Sequence, residues 1–326
     1  MRVVRDSRQQ GAAIISVLLT VALATLIVSG LFLREHVTVR SVENQIALTQ
    51  TRWVERAAID WSKVILAADF ATGPLDHLGE PWAVPVEETR LDETVTAGAR
   101  IDSDAQAATL SGAITDAQSR FNLNNLVTAA KSGQPPAVFP PAIEKFSKLL
   151  DLLGLSPSLA DTLAARLLAA APAGPDEQSG VGALGDVPGE VALPLIRVGD
   201  LITVRGFDAE AVQALEPFVT FLPEFTRINV NTAPAEVLAS VIDDLDLGGA
   251  RQQVTRRDRT PFKSVADFRL AMSPPPETLD EAWLGTGSKY FLVRGLIRFG
   301  RVESLSETLL SRTDRRRVNV IWQRRL

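Results

Sequence analysis

The sequence predicts an α+β fold in which one long N-terminal helix lies on an antiparallel sheet, and a large helical domain is inserted between strands of that sheet. Three observations carry this expectation. Residues 12–33, AAIISVLLTVALATLIVSGLFL, run for 22 residues without a formal charge. Short alternating stretches occur in two sets, one within residues 82–114 and the other from Tyr290 to the C-terminus. Between the two sets the apolar residues change to helical spacing, broken by proline and glycine.

The uncharged run suits a membrane span, because a hydrocarbon core of about 30 Å needs roughly 20 apolar residues at the helical rise. The preceding leader, MRVVRDSRQQG, carries Arg2, Arg5 and Arg8 against Asp6. That bias holds the N-terminus in the cytoplasm and sends the rest outward. A secretory signal has an apolar region of about 7–15 residues closed by a small-residue cleavage site. This run is longer and continues into HVTVRSVENQIALTQTRWVERAAIDWSKVIL without a turn residue. Apolar positions including Val39, Val42, Ile46, Ala47, Trp53, Val54, Ala57, Trp61, Val64 and Ile65 keep helical spacing, so one helix is expected to continue to about Ala68, roughly 85 Å at 1.5 Å per residue.

After the loop residues Thr72-Gly73-Pro74 and Gly79-Glu80-Pro81, three strands are expected: around Trp82, Val84 and Val86; around Val95, Ala97, Ala99 and Ile101; and around Leu110, Gly112 and Ile114. YFLVRGLIRF, VESLSETLLS and RVNVIWQ at the far end complete the sheet, with Phe291, Val293, Ile297 and Phe299 on its buried face. In the middle, residues 142–153 place Ile143, Phe146, Leu149, Leu150 and Leu153 on one stripe ending at Gly154. Ser156-Pro157 is expected to open a second helix running to about Ala171. The stretch APAGPDEQSGVGALGDVPGEV reads as loop, and further helices are expected at residues 208–215, 234–242 and 264–272, where Ser264 and Asp267 have capping-box spacing. The implied organisation is a leader at 1–11, the N-terminal helix at 12–69, a sheet-bearing core at 70–121 and 288–326, and the inserted helical domain at 122–287.

Composition limits the function. The hydrophobic content of 46% supplies a large core, the formal charge of −5 does not suit nucleic acid as main partner, and the absence of cysteine excludes disulfides, thiol catalysis and cysteine metal sites. His36 lies just past the apolar run and His77 in a Gly/Pro loop, neither with an evident nucleophile or carboxylate partner. Gly180, Gly182 and Gly185 spell GxGxxG, but Pro172, Pro175 and Pro188 surround them where a strand and a helix would be needed. No enzyme is expected.

A basic leader ending in Gly11, an uncharged helix starting at Ala12 and an amphipathic continuation together resemble a type IV pilin-like precursor. The resemblance implies cleavage by a prepilin peptidase between Gly11 and Ala12, with N-methylation of Ala12. Most members of that family carry glutamate at the fifth mature position, where this chain has Ser16. A buried carboxylate requires a partner, which in pilin fibres is the amine of the adjoining subunit. A subunit with Ser16 can therefore sit at the fibre tip, where that partner is missing.

Two further stretches, DAQSRFNLNNLV at residues 116–127 and RINVNTAPAEVLASV at 227–241, are similar to hallmark segments of the type II secretion minor pseudopilin family, general secretion pathway protein K. Membership implies a Gram-negative inner-membrane protein with a single span, a cytoplasmic N-terminus and a periplasmic globular region. It implies a tip complex with the minor pseudopilins I and J, and a pseudopilus containing H and the major pseudopilin G. The helical insertion would make the subunit too bulky for the shaft. From the residues themselves, Asp116, Asn122, Asn124, Asn125, Asn229 and Asn231 are expected to be structural, satisfying loop backbone at domain junctions, with Arg120 and Arg227 tying the insertion to the sheet by salt bridges.

Two alternatives attach to the same region. NVNTAPAEVLASV followed by RTPFKSVADF resembles the helix-hairpin-helix modules of DNA-uptake proteins, with GDLITVRGFDAEAVQAL as a degenerate first copy. In such modules backbone amides contact phosphate, but IDDLDLGGA puts Asp243, Asp244 and Asp246 before the glycine pair, where they would repel it. Members of the protein K family can hold calcium, which makes the same three aspartates candidate oxygen ligands. At the C-terminus Arg312, Arg315, Arg316, Arg317, Arg324 and Arg325 read as a charged strand edge, or as a docking surface for an acidic partner.

Overall fold

The computed structural model describes residues 7–91, 108–129, 134–171, 193–276, 279–300, 302–314 and 317–326. Its packing divides the chain into two units, Met1–Ala57 with Thr89–Leu110 and Ile297–Ser304, and Ala58–Glu88 with Ser111–Leu296 and Leu305–Leu326. This division crosses the strands and does not follow the 122–287 boundary read from the sequence. The insertion and the neighbouring half of the sheet fall in one unit, for reasons given by the polar junction described below.

Helix α1 spans Ser7–Thr72, a little longer than the sequence suggests, with no interior proline to stop it. A five-stranded antiparallel sheet is built from β1 (Val86–Leu91), β2 (Ala108–Asp116), β3 (Tyr290–Phe299), β4 (Val302–Asp314) and β5 (Arg317–Arg325), in that spatial order. The strand expected around Trp82 is displaced: Pro81–Ala83 form a 3-10 turn and extended structure begins only at Val86. Proline in the first turn and a Trp82 indole that donates to Glu80 Oε2 at 2.7 Å favour the turn. The strand expected around Val95 lies outside the described residues, as does the GxGxxG stretch. At Gly112 a Cβ would stand 2.6 Å from the Arg294 carbonyl, so only glycine lets β2 approach β3 this closely.

Between β2 and β3 the chain forms α2 (Pro140–Leu152), α3 (Leu159–Ala170), α4 (Ala209–Leu215), α5 (Ala235–Val241), α6 (Leu247–Arg257) and α7 (Val265–Ala271). Gly154, at φ 73°, ends α2 in a Schellman motif, with Gly154 N bonded to Asp151 O and Leu155 N to Leu150 O. Helix α3 starts two residues later than the Ser156-Pro157 signal implies, with Ser158 at its N-cap position. Ser264 caps α7 by accepting from Asp267 N at 3.1 Å, and Asp267 accepts in return from Lys263 N. Helix α6 was not foreseen, because its first residues are Leu247-Gly248-Gly249, which read as hairpin. The apolar faces of these helices share one core that includes Phe121, Phe146, Leu150, Leu163, Leu238 and Trp283.

A second, smaller core joins Ile59 and Leu66 of α1 to Trp82, to Phe291 and Val293 of β3, and to Leu310 of β4. Ile297 and Phe299 are buried as well, so all four residues assigned to the inner face of that strand are out of solvent.

Candidate functional site

The anchor is the first half of α1. Between residues 14 and 33 every large apolar side chain, from Ile14 to Leu33, is exposed within the chain. An 18-residue window there has a mean hydropathy of 2.5, which makes α1 long and apolar enough to cross a membrane. Both threonine hydroxyls in this stretch are satisfied inside the helix: Thr20 Oγ1 donates to the Ser16 and Val17 carbonyls at 2.9 Å, and Thr25 Oγ1 donates to Val21 O at 2.7 Å and Ala22 O at 2.9 Å. Such back-bonding lets a polar residue face lipid without an unpaired donor. Gly11 and Ala12 lie within the same helical backbone, and Ser16 is exposed on it.

The second half of α1 has two faces, which the helical spacing of its apolar residues does not by itself assign to core or exterior. The buried positions are Thr51, Glu55, Ile59, Ser62, Leu66 and Asp69, spaced by three and four residues, and four of the six are polar. Roughly half a turn away, Val39, Val42, Ile46, Trp53, Trp61 and Val64 remain exposed, with Trp53 at 71% and Trp61 at 66%. Most of the apolar positions that announce the helix thus face outward within this chain, while Ala47, Val54 and Ile65 are partly buried.

Where α1 ends, the buried polar residues converge on Arg312 of β4. Its guanidinium donates to Asp69 Oδ2 at 2.9 Å, to Asp76 Oδ1, and to the Ser288 carbonyl at 3.1 Å. It also lies over the rings of Phe70 and Phe291, at 4.9 and 4.6 Å from their centroids. A register shift between Arg312 and Asp314 accompanies this placement, as bulges commonly re-aim a strand side chain. Burial pushes the Asp76 pKa up to about 7, although Arg312 and the Ser288 amide at 2.6 Å pull it down. Burial, with the Glu80 charge, also raises Asp69. The sequence reading placed Arg312 with the basic C-terminal edge; the structure makes it a fully buried core residue. An arginine within the apolar run LLSRT was the available signal.

Asp116 is the next member of this junction. Its Oδ1 accepts from Gln118 N at 2.7 Å, and its Oδ2 accepts from Ser288 Oγ and Thr232 Oγ1 at 2.6 Å and from Asn229 Nδ2 at 2.9 Å. Burial raises its pKa, while these donors favour the ionised form. Asn229 Nδ2 also reaches the Asp76 carbonyl, and Asn229 Oδ1 accepts from Asn231 N. Asn231 in turn exchanges two bonds with the Phe262 backbone, at 2.8 and 2.9 Å. Arg257 of α6 reaches the Val230 and Ala233 carbonyls, and burial lowers its pKa to about 10.

The three asparagines after Asp116 work in the same way. Asn122 Oδ1 accepts from Asn124 N and Leu222 N, and its Nδ2 donates to Asn125 Oδ1 and Glu224 O. Asn124 Nδ2 donates to Leu222 O, and Asn125 exchanges two bonds with the Thr226 backbone. Every motif asparagine therefore satisfies loop backbone across the chain, an arrangement suited to holding shape and offering no activated nucleophile. Arg227 joins this system through its backbone carbonyl, which accepts from Gln118 Nε2, rather than through its guanidinium. The ion pair expected for Arg120 does not form among the described residues.

The rival sites fare differently. Asp246 is the N-cap of α6, with Oδ1 accepting from Gly249 N at 2.7 Å. The chain's own carboxylate thus occupies the Gly249 amide at the helix start, where a phosphate would bind. Asp246 also sits at a helix N-terminus, where the dipole favours a carboxylate. Asp243 Oδ1 stands 3.5 Å from Lys145 Nζ, and its carbonyl accepts from Lys148 Nζ. With one carboxylate spent on a cap and two ammonium groups beside another, Asp243, Asp244 and Asp246 do not fit a calcium ion. Among the described residues the one convergent acidic trio is Asp69, Asp76 and Glu80, and there Arg312 already supplies the positive charge. His77 serves its own turn, its Nδ1 accepting from Gly79 N.

Comparison with known proteins agrees with this geometry. Residues 119–224 and 228–286 match two family profiles described as "Type II secretion system (T2SS), protein K". The chain is similar to type II secretion system protein K of Pseudomonas aeruginosa, 31% identical over 92% of this chain and 88% of that protein. The Klebsiella pneumoniae protein of the same name is 27% identical over 97% of this chain and 98% of that one. A chain in the crystal structure of the GspK-GspI-GspJ complex from the enterotoxigenic Escherichia coli type 2 secretion system shares the fold, with a TM-score of 0.64, 21% identity and coverage of 88% and 98%.

Proposed function

Because the chain belongs to the type II secretion system protein K family, we propose that it is the minor pseudopilin that starts or caps its secretion pseudopilus, supporting protein export across the outer membrane. A prepilin peptidase removes residues 1–11 by cutting between Gly11 and Ala12, and Ala12 becomes the methylated terminus. The helix then lodges in the inner membrane with its N-terminal side cytoplasmic and the remaining chain periplasmic. The solved relative is a complex with GspI and GspJ, and the corresponding I and J pseudopilins are the tip partners assigned to this chain, with H and G below them. Ser16 removes the need for a charge partner above, and the insertion between β2 and β3 blocks stacking of another subunit. The protein works by assembly, without catalysis or a required cofactor.

One observation carries this reading: α1 keeps its apolar residues on the outside, from Ile14 through the stripe that ends at Trp61 and Val64. Such a face, about 75 Å long at the helical rise, is clothed only by lipid and by other helices. The test is to express the full chain with and without prepilin peptidase, measure intact mass, and purify it from membranes with the I and J pseudopilins. Loss of residues 1–11 and co-purification are expected. A chain still beginning at Met1 in the presence of the peptidase, or one that stays solitary beside those partners, would overturn the proposal.

A further inference from the structure

The face of the sheet turned away from α1 carries an unbalanced charge. Glu307 of β4, with a side chain only 1% exposed, accepts from Arg294 Nε at 2.7 Å through one oxygen and from Arg324 through the other. Glu216, at the end of α4, stands 3.7 Å from Arg294. Arg120 lines the same cleft as these residues. It is half-buried, and among the described residues no carboxylate lies within 4 Å of it and no hydrogen bond holds it. Burial, with the nearby Arg294, lowers its pKa by more than the carboxylates of Glu307, Glu216 and Asp116 raise it, so its charge is held at a cost.

The size of the cleft limits what can relieve that cost. Its room is about 70 Å³, far below the several hundred typical of metabolite pockets, but enough for a carboxylate. Its lining is mixed: Ile196, an exposed isoleucine, and Trp322 stand among polar groups that include Arg197, Thr220 and Arg324. A half-buried arginine without a paired carboxylate, set among both polar and apolar surface, offers a protein partner charge and contact area together.

We propose that this cleft receives an aspartate or glutamate side chain of an adjoining pseudopilin, which pairs with Arg120 while the partner's surface covers Ile196 and Trp322. The inference rests on the assembly reading above and adds to it a second contact, on the sheet rather than on α1. Arginine suits the role because its planar fork takes a carboxylate through two parallel bonds.

The test measures the affinity of the full chain in detergent for its I and J pseudopilins, at low and high salt. Arg120→Gln should weaken assembly about tenfold or more at low salt and reduce the salt dependence, and Arg120→Lys should restore part of the loss. Glu216→Gln removes a competing carboxylate from the rim and should tighten assembly severalfold. In the isolated chain Arg120→Gln should leave the unfolding midpoint unchanged or higher, because burial and Arg294 cost its charge more than Glu307, Glu216 and Asp116 return. A purely structural role for Arg120 predicts the opposite sign, a less stable isolated chain. Wild-type complexes that form while both variants bind as before would overturn the cleft and leave the assembly reading intact. A wild-type chain that forms no complex would overturn both. Acetate or inorganic phosphate that binds in an Arg120-dependent way, without any change in partner affinity between the variants, would also sink the proposal.

Discussion

Between residues 14 and 33 the chain exposes every large apolar side chain, whereas around Arg312 it buries Asp69, Asp76, Asp116, Asn229 and Ser288. The two regions invert the usual soluble arrangement in opposite senses, and each is stable for a different reason. In the anchor the threonine hydroxyls find partners three or four residues away, before the segment meets anything else. In the junction the partners lie far apart in sequence: 243 residues separate Arg312 from Asp69, and 172 separate Ser288 from Asp116. What the first needs is a solvent that accepts it; what the second needs is the entire fold.

That contrast can be broken most severely at Arg312. Arg312→Met would leave Asp69 and Asp76 buried without their cation, a defect of about 3–5 kcal/mol, measured by denaturant unfolding of the full chain in detergent. On the anchor side, Leu26→Arg should cost about 2.5–3.5 kcal/mol of membrane insertion while leaving the junction intact. Extraction of the variant by alkaline carbonate, with an unchanged midpoint for the extracted fold, is the expected result.

A gentler probe uses pH. Asp76 stands at about 7 in the folded chain against about 3.9 when unfolded. The folded form therefore binds the extra proton, and its contribution is fully present below about pH 4 and lost as pH rises through about 7. The unfolding midpoint should fall between pH of about 5 and about 8, and Asp76→Asn should flatten that decline. The smallest effect is expected at Trp61. Its ring is two-thirds exposed, so Trp61→Ala should change the stability of the isolated chain by less than about 0.5 kcal/mol, yet weaken recovery of partner pseudopilins.

The same contrast explains what the sequence could disclose. The anchor, β2, β3, β4, β5 and most inserted helices were legible because their signals are local: an uncharged run, an alternation, a cap such as Ser264 with Asp267. The motif asparagines were legible in role, as backbone partners, but not in pairing, since nothing near Asn125 points to Thr226. Asp69, Asp76, Ser288 and Glu307 were missed entirely, because each acquires meaning only from a residue brought to it by the fold. Which face of α1 this chain covers was not legible for a related reason. Periodicity locates an apolar stripe, but it does not say whether this chain or another covers it.

Asp116 and Ser288 stand at the gateway where the chain leaves β2 and rejoins β3, and their side chains touch at 2.6 Å. The detour between them therefore begins and finishes at one point, with its ends clasped. Strand registry is consequently indifferent to the length of the excursion, since closing a longer loop costs only a slowly growing entropy. A scaffold wired this way can carry a bulky graft, enlarged or trimmed over generations, while the strands beneath it keep their alignment.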